Sequence, residues 1–120
     1  LDRGDLGLLV EEVLGPRLVL PVEPPEARPC WHLFPVLVEG ADRSEFTAHL
    51  SRCGIASGVH YPTLIPEQAA WTGGGAPEVA GALETAARFA RCEVSLPIHP
   101  FLTDAEVDAV VEACNSWGLA

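Results

Sequence analysis

The sequence predicts an α/β fold of the α+β type, a two-layer sandwich in which helices cover a small, mostly antiparallel sheet. Extended apolar runs alternate with helical patterns from residue 31 to the end of the chain. Capping-box signatures, with Glu three residues after the cap, open two of the helical patterns at Asp42 and Thr103. The strands are expected at 31–38, 55–61 and 93–98, and the helices at 42–53, 77–91 and 103–116.

The first third of the chain contains few regular elements. Apolar residues at helical spacing fill residues 1–14 and stop at Gly15-Pro16, so we expect residues 1–16 to be the end of an inter-domain helix. The length of 120 residues suits one domain, covering residues 1–120. Residues 17–22 form a short strand candidate, and a proline-rich connector follows at 21–29.

The run WHLFPVLV, from Trp31 to Val38, is the strongest strand pattern, because it is aromatic, β-branched and apolar on both faces. Pro35 lies inside it and has no N–H to donate to a neighbouring strand. The proline predicts that this is an edge strand or that the residue lies at a bulge.

The stretch GIASGVHYP, from Gly54 to Pro62, carries the densest polar chemistry of the chain. A helix ends at Gly54, and an extended run leads from there to His60 and Tyr61 immediately before a proline. We expect the imidazole and the phenol to leave the strand on opposite faces at its end. Ligands of α/β proteins commonly bind at such strand ends.

The two helices of the second half have clear apolar faces. Pro77 suits the first turn of the helix at 77–91, and Thr103 opens the last helix. The buried stripe of the last helix is expected to comprise Val107, Val110, Val111 and Cys114.

The charge balance excludes one class of partner and disfavours another. The net charge is -10, and the seven basic residues are all arginine, so a nucleic-acid partner is not expected. No apolar run approaches the roughly 18 residues that cross a bilayer, so we expect no membrane contact.

The four cysteines include no C-x-x-C pair, which predicts buried, reduced thiols of a cytoplasmic protein. The chain begins with Leu1 and lacks a basic, apolar leader pattern. We therefore expect its start to be a cut or processed end and not a signal peptide.

Four segments together resemble the C-terminal small domain of DegT-type sugar aminotransferases. They are WHLFPVLV, the helix at 42–53, GIASGVHYP and SLPIHPFLTDAEVDAVV, and the resemblance covers about residues 17–117. It implies the small domain of a pyridoxal-phosphate enzyme of the aspartate-aminotransferase fold class, one that aminates keto-sugar nucleotides or cyclitols. The resemblance also implies a large cofactor-binding domain as partner, in the same chain or another, and a homodimer for the full-length enzyme.

The cofactor, pyridoxal phosphate, requires a lysine for its Schiff base, and this sequence contains none. We therefore expect the missing domain to hold the cofactor, and no catalytic residue in this chain. The resemblance implies that His60, Tyr61 and Gln68 are substrate-binding residues. Hydroxyl and imidazole groups suit the recognition of sugar hydroxyls or a phosphate.

The stretch after His60-Tyr61-Pro62 departs from the family pattern. The family continues with a second proline and a second histidine, where this sequence has Leu64 and Pro66. Gln68 and Trp71 fit the pattern. The departure allows a changed substrate or a free-standing binding or assembly module that kept the fold without catalysis.

Other interpretations of the histidines remain open. His60 could cap a strand while Tyr61 packs on the core, or the two could act as acid and base of a small enzyme. His32 and His99 suit structural roles, and His49 suits an uninvolved helix surface. No two histidines lie four apart on a helix, so no metal site is expected.

Overall fold

The sheet is antiparallel, as predicted, and has three strands within residues 17–71, 73–75 and 77–118, which the computed structural model describes. The strands are β1 (Leu18–Val19), β2 (Phe34–Val38) and β3 (Glu93–Leu96), in the spatial order β1-β2-β3. The short strand candidate at 17–22 is thus a two-residue strand. The helix predicted over residues 1–14 lies outside the described residues.

Three helices accompany the sheet, as expected. They are α1 (Arg43–Arg52), α2 (Glu84–Cys92) and α3 (Asp104–Ser116), with 3-10 turns at Ile65–Glu67 and Ala69–Trp71. The expected start of α2 at residue 77 is wrong by seven residues. Gly81 has a φ of 95°, which interrupts a right-handed helix, and Val79 before it is 46% exposed.

The strand predicted at 55–61 is not a strand. Only Gly58 pairs there, through an isolated antiparallel bridge to Ser95 on the free side of β3. The pairing with β3 does not continue beyond Gly58. The backbone N–H of His60, two residues on, donates to the side-chain carboxylate of Glu93 at 2.7 Å instead of to a backbone carbonyl of β3. The third strand is β1, on the opposite side of the sheet.

Pro35 lies in the central strand, so the expectation of an edge strand or a bulge is wrong. Its partner Ser95 exchanges both backbone hydrogen bonds with Gly58, and therefore directs them away from β2. The Pro35 nitrogen accordingly faces the side of β2 on which β1 lies. The pairing of β1 with β2 reaches only Leu37 and does not extend to Pro35. No strand amide is required at this position, which explains why a proline is tolerated.

The core lies between the sheet and the helices α1 and α3. In β2 the buried and half-buried residues alternate, whereas all four residues of β3 are buried. Phe46 of α1 is fully buried, and its ring lies 4.9 Å from the ring of Trp117 after α3. The core cluster comprises Leu18, Phe34, Val36, Val38, Phe46, Leu50, Val94, Leu96, Val107, Val110, Ala113 and Cys114.

Both predicted helix caps are present, but only the one at Thr103 is a full capping box. Thr103 and Glu106 form the full capping box, and the hydrogen bonds from Thr103 hold the pKa of Glu106 below its usual range. Asp42 caps α1 by accepting from the backbone N–H of Ser44 at 2.8 Å, and this bond lowers the pKa of Asp42. The caps agree with the sequence because both depend on residues within one turn.

Arg43 connects α1 to the end of α2. Its Nη1 donates to the carbonyl of Ala90 at 2.6 Å and to the carbonyl of Glu93 at 3.4 Å. Arg43 therefore does not lie on a solvated helix face. A guanidinium at the C-terminus of α2 satisfies carbonyls that the helix leaves unpaired, and it complements the helix dipole.

We expect Arg43→Ala to lower the free energy of unfolding by about 1.5–3 kcal/mol, the usual contribution of a hydrogen bond to a charged group. Arg28→Ala, in the exposed connector, is the matched control and should change it by less than about 0.5 kcal/mol. Urea unfolding of the two variants measures the difference. Equal midpoints for the variants would show that the Arg43 contact does not stabilise the junction.

Candidate functional site

His60 and Tyr61 lie side by side at the end of residues 55–61, which we call the bridge segment because Gly58 within it pairs with Ser95. Their rings meet edge to face with centroids 5.3 Å apart, so the expectation of opposite faces is wrong. The imidazole is half-buried, whereas Tyr61 is 71% exposed and does not pack into the core. The pair therefore presents one polar surface, with the phenol on its outer side.

A buried carboxylate and a hydroxyl lie directly behind His60. Glu93 is fully buried, and its Oε2 accepts the backbone N–H of His60 at 2.7 Å. Ser95 Oγ donates to Oε1 of the same carboxylate and lies 3.0 Å from Nδ1 of His60. The three side chains form one hydrogen-bonded chain from the interior to the half-buried imidazole, which we call the Glu93–Ser95–His60 chain.

Sequence reasoning missed Glu93 and Ser95 as members of the site. The signal was present, because residues i and i+2 of a strand share a face, and EVSL places two polar residues at that spacing in an otherwise apolar strand. Buried acidic residues are rare unless they are paired. What the pattern could not supply was the partner, since His60 is 33 residues away in the chain.

An apolar groove with a volume of about 610 Å³ begins beside the ring of Tyr61. The bridge segment and its continuation form one wall, through Tyr61 and Ile65, and α2 forms the other through Phe89. The remaining lining residues are Thr63, Leu64, Ala82, Leu83, Thr85, Ala86 and Ala90. None of these lining residues is basic or acidic, so the groove suits an uncharged part of a ligand.

The residues that depart from the family pattern lie next to this groove. Leu64 lines it, and Pro66 occupies the first turn of the 3-10 helix at 65–67, a position where its missing N–H costs nothing. The indole of Trp71 closes the segment by donating to the carbonyl of Ile65 at 2.7 Å. Gln68 is exposed on this segment and does not line the groove.

Two of the other histidines make hydrogen bonds within the fold, and the third, His32, lacks the structural contacts expected for it within the part of the chain that the structure describes. His49 Nε2 donates to the carbonyl of Ala113 at 2.8 Å, so it joins α1 to α3 and does not lie on an open helix surface as expected. His99 Nδ1 accepts the backbone N–H of Phe101 at 3.3 Å within a turn, as predicted. His32 is exposed. No cluster of potential metal ligands occurs among the described residues.

The cysteines differ from the expectation of uniform burial. All four are free thiols, but Cys30 and Cys53 are exposed and Cys92 is half-buried. Cys114 is buried, and its burial, with a smaller contribution from Cys53, raises the pKa of its thiol to about 12. Within residues 17–118, apart from positions 72 and 76, no helix is long and apolar enough to span a bilayer.

A family model matches most of the chain. Residues 12–115 match the DegT/DnrJ/EryC1/StrS aminotransferase family. Among curated proteins, the chain is 39% identical over 102 residues to dTDP-3-amino-3,4,6-trideoxy-alpha-D-glucose transaminase of Streptomyces venezuelae, covering 85% of this chain and 26% of that protein. It is 30% identical over 109 residues to dTDP-3-amino-3,6-dideoxy-alpha-D-galactopyranose transaminase of Aneurinibacillus thermoaerophilus, covering 91% and 28%.

Solved structures give the same result for the fold. The S. venezuelae DesV structure in complex with a ketimine intermediate superposes with a TM-score of 0.79 at 37% identity, covering 96% of this chain and 30% of that one. A DegT DnrJ EryC1 StrS aminotransferase from Brucella abortus superposes with a TM-score of 0.76 at 25% identity, covering 95% and 30%. The chain thus spans less than a third of the length of these relatives.

Proposed function

Because the chain belongs to the DegT/DnrJ/EryC1/StrS aminotransferase family, we propose that residues 1–120 form the C-terminal small domain of an enzyme that aminates keto-sugar nucleotides or cyclitols. The observation that carries the proposal is the family match over residues 12–115, since it spans nearly every described element. Two of the curated relatives are transaminases named for aminodeoxy sugars. Residues 1–16 would then lead into this domain from an inter-domain helix.

The cofactor of the proposed enzyme, pyridoxal phosphate, does not fit the residues of this chain. The sequence contains no lysine to form the Schiff base. No basic side chain lines the groove, and two arginines near it are engaged elsewhere, Arg43 with backbone carbonyls and Arg88 with Glu39. We propose that a large domain, in the same chain or a partner chain, holds the cofactor, and that the complete enzyme is a homodimer.

In this proposal the small domain closes over the cofactor and contacts the substrate through His60, Tyr61 and Gln68. The half-buried imidazole and the exposed phenol lie next to each other, and Tyr61 also lines the apolar groove. Polar groups at the edge of an apolar surface suit a sugar ring, which has hydroxyls on its rim and C–H groups on its faces. Gln68 is exposed and is proposed as the third contact.

The test is transamination of a keto-sugar nucleotide with glutamate by this chain assembled with its cofactor-binding domain. We expect His60→Ala and Tyr61→Phe each to lower kcat/KM by roughly tenfold, the value of one or two lost hydrogen bonds. His32→Ala is the matched control, because His32 is exposed and lies outside the site. It should retain the activity.

Three outcomes would contradict the proposal. Unchanged activity of both His60 and Tyr61 variants would remove their substrate role. An assembled protein that binds the sugar nucleotide but never aminates it would favour the free-standing binding module, the alternative that Leu64 and Pro66 left open. Activity of this chain without a cofactor-binding domain would instead indicate a small enzyme in its own right.

A further inference from the structure

We propose that Glu93 and Ser95 are positioning residues that hold the neutral imidazole of His60 with its proton on Nδ1, leaving Nε2 as a hydrogen-bond acceptor. The proposal deepens the proposed function, on which the substrate role of His60 rests. The position of the proton depends only on this chain, however, and it can be measured without substrate or cofactor.

The direction of the hydrogen bonds follows from what each group is able to donate. The backbone N–H of His60 can only donate, so Oε2 of Glu93 accepts at 2.7 Å. Ser95 has one hydroxyl proton, and it donates this proton to Oε1 of Glu93. Its oxygen must then accept from Nδ1 of His60, 3.0 Å away, which places the imidazole proton on Nδ1.

The opposite order is the competing arrangement. A proton on Glu93 would let the carboxyl donate to Ser95, and Ser95 would then donate to Nδ1 of His60. The imidazole proton would move to Nε2. In the first order both oxygens of the buried carboxylate accept a hydrogen bond, from the His60 N–H at 2.7 Å and from the Ser95 hydroxyl, which compensates for lost hydration, so we take the first order.

The backbone around the Glu93–Ser95–His60 chain holds the imidazole of His60 next to Ser95. The bridge between Gly58 and Ser95, with N–O distances of 3.1 and 2.8 Å, holds the segment before His60 against β3. Gly58 leaves room for the ring, because a Cβ at this position would come within 2.7 Å of Cε1 of His60. The Cε1 edge of the ring therefore lies against a glycine, and the neighbouring Nδ1 is hydrogen-bonded to Ser95.

The position of the proton determines what His60 is able to recognise. A free Nε2 lone pair accepts from hydroxyl or amine donors, whereas an Nε2–H would donate to phosphate or carbonyl oxygens. Nε2 has no hydrogen-bond partner within residues 17–71, 73–75 and 77–118. The Glu93–Ser95–His60 chain thus selects a neutral polyol or an amino group over an anion at this point of the site.

Long-range ¹H–¹⁵N NMR correlation of the histidine side chains, at about pH 8.5 where ordinary imidazoles are neutral, measures the tautomer directly. In the unsubstituted chain we expect His60 to show one tautomer, with the proton on Nδ1. A spectrum showing Nε2–H would overturn the proposal without any variant, so the result does not depend on whether a variant folds.

Glu93→Gln is the most informative variant, because it retains the shape of the side chain and reverses the direction of the hydrogen bonds in the Glu93–Ser95–His60 chain. The amide must direct its oxygen to the His60 N–H and its NH₂ group to Ser95, which then has to donate to Nδ1. We expect the proton of His60 to move to Nε2. Retention of Nδ1–H in folded Glu93→Gln would contradict the proposed direction.

Ser95→Ala removes the acceptor for Nδ1–H, and we expect averaged shifts from a mixture of both tautomers. Ser57→Ala, an exposed serine in the same segment, is the matched control and should keep the Nδ1–H spectrum. A folded Ser95→Ala chain with an unchanged tautomer would show that Ser95 does not position the ring. Failure of the transamination assay with the expected tautomers would affect the proposed function alone.

Discussion

Replacing Phe46 by alanine is expected to lower the free energy of unfolding by about 3–5 kcal/mol, the usual cost of truncating a buried phenylalanine. Its side chain is completely buried and contacts the ring of Trp117 at a centroid distance of 4.9 Å. The loss combines the burial of the ring with the cavity left between α1 and α3. Because the described core is small, such a loss is a large share of a typical domain stability of 5–15 kcal/mol.

Phe101→Ala is the matched control, since the same truncation there removes a ring that is 85% exposed. We expect a change within about 0.5 kcal/mol at that position. Denaturant unfolding followed by tryptophan fluorescence measures both variants. Similar losses at Phe46 and Phe101 would contradict the position of the core between α1, α3 and the sheet.

The second large effect is expected at Gly58, on activity and not on stability. A Cβ at this position would lie 2.7 Å from Cε1 of His60, so Gly58→Ala must displace the imidazole. The displaced atom is the end of a side chain, which can rotate while the backbone stays in place. We expect a decrease in kcat/KM of up to roughly tenfold in the assembled enzyme, the same limit as for His60→Ala, because the substitution misplaces the contact group that His60→Ala removes.

Gly73→Ala is the control for Gly58→Ala, because an added Cβ at Gly73 meets no atom within 4 Å and the φ there is not in the left-handed region. Its activity should equal that of the unsubstituted enzyme. The NMR spectrum of Gly58→Ala provides a separate reading, in which the His60 signals shift while the amide spectrum stays folded. Full activity of Gly58→Ala would mean that the position of the imidazole does not matter for turnover.

The sequence predicted those parts of the fold that depend on neighbouring residues. The caps at Asp42 and Thr103 are present because their donors lie two or three residues away, and the three helices and the antiparallel sheet are confirmed. The family resemblance is also confirmed, because its motifs together identify a specific fold.

The errors arise where partners are distant in the chain. The extended run at 55–61 has the composition of a strand, yet the amide of His60 pairs with a side chain from β3, which no local pattern indicates. No local pattern indicates the contacts of Arg43 either, because its carbonyl partners, Ala90 and Glu93, follow about fifty residues later. One error has a local cause instead, because the early start assigned to α2 overlooked the left-handed Gly81. The substrate roles of His60, Tyr61 and Gln68 stay predictions.

Helix α2 passes into β3 without a single intervening residue, Cys92 being followed directly by Glu93. The guanidinium of Arg43 donates to a carbonyl on each side of this junction, those of Ala90 and Glu93. The groove wall that α2 forms and the buried carboxylate of Glu93 therefore belong to one continuous helix–strand unit. A ligand that displaced α2 would therefore also displace Glu93, because no loop separates the helix from the strand.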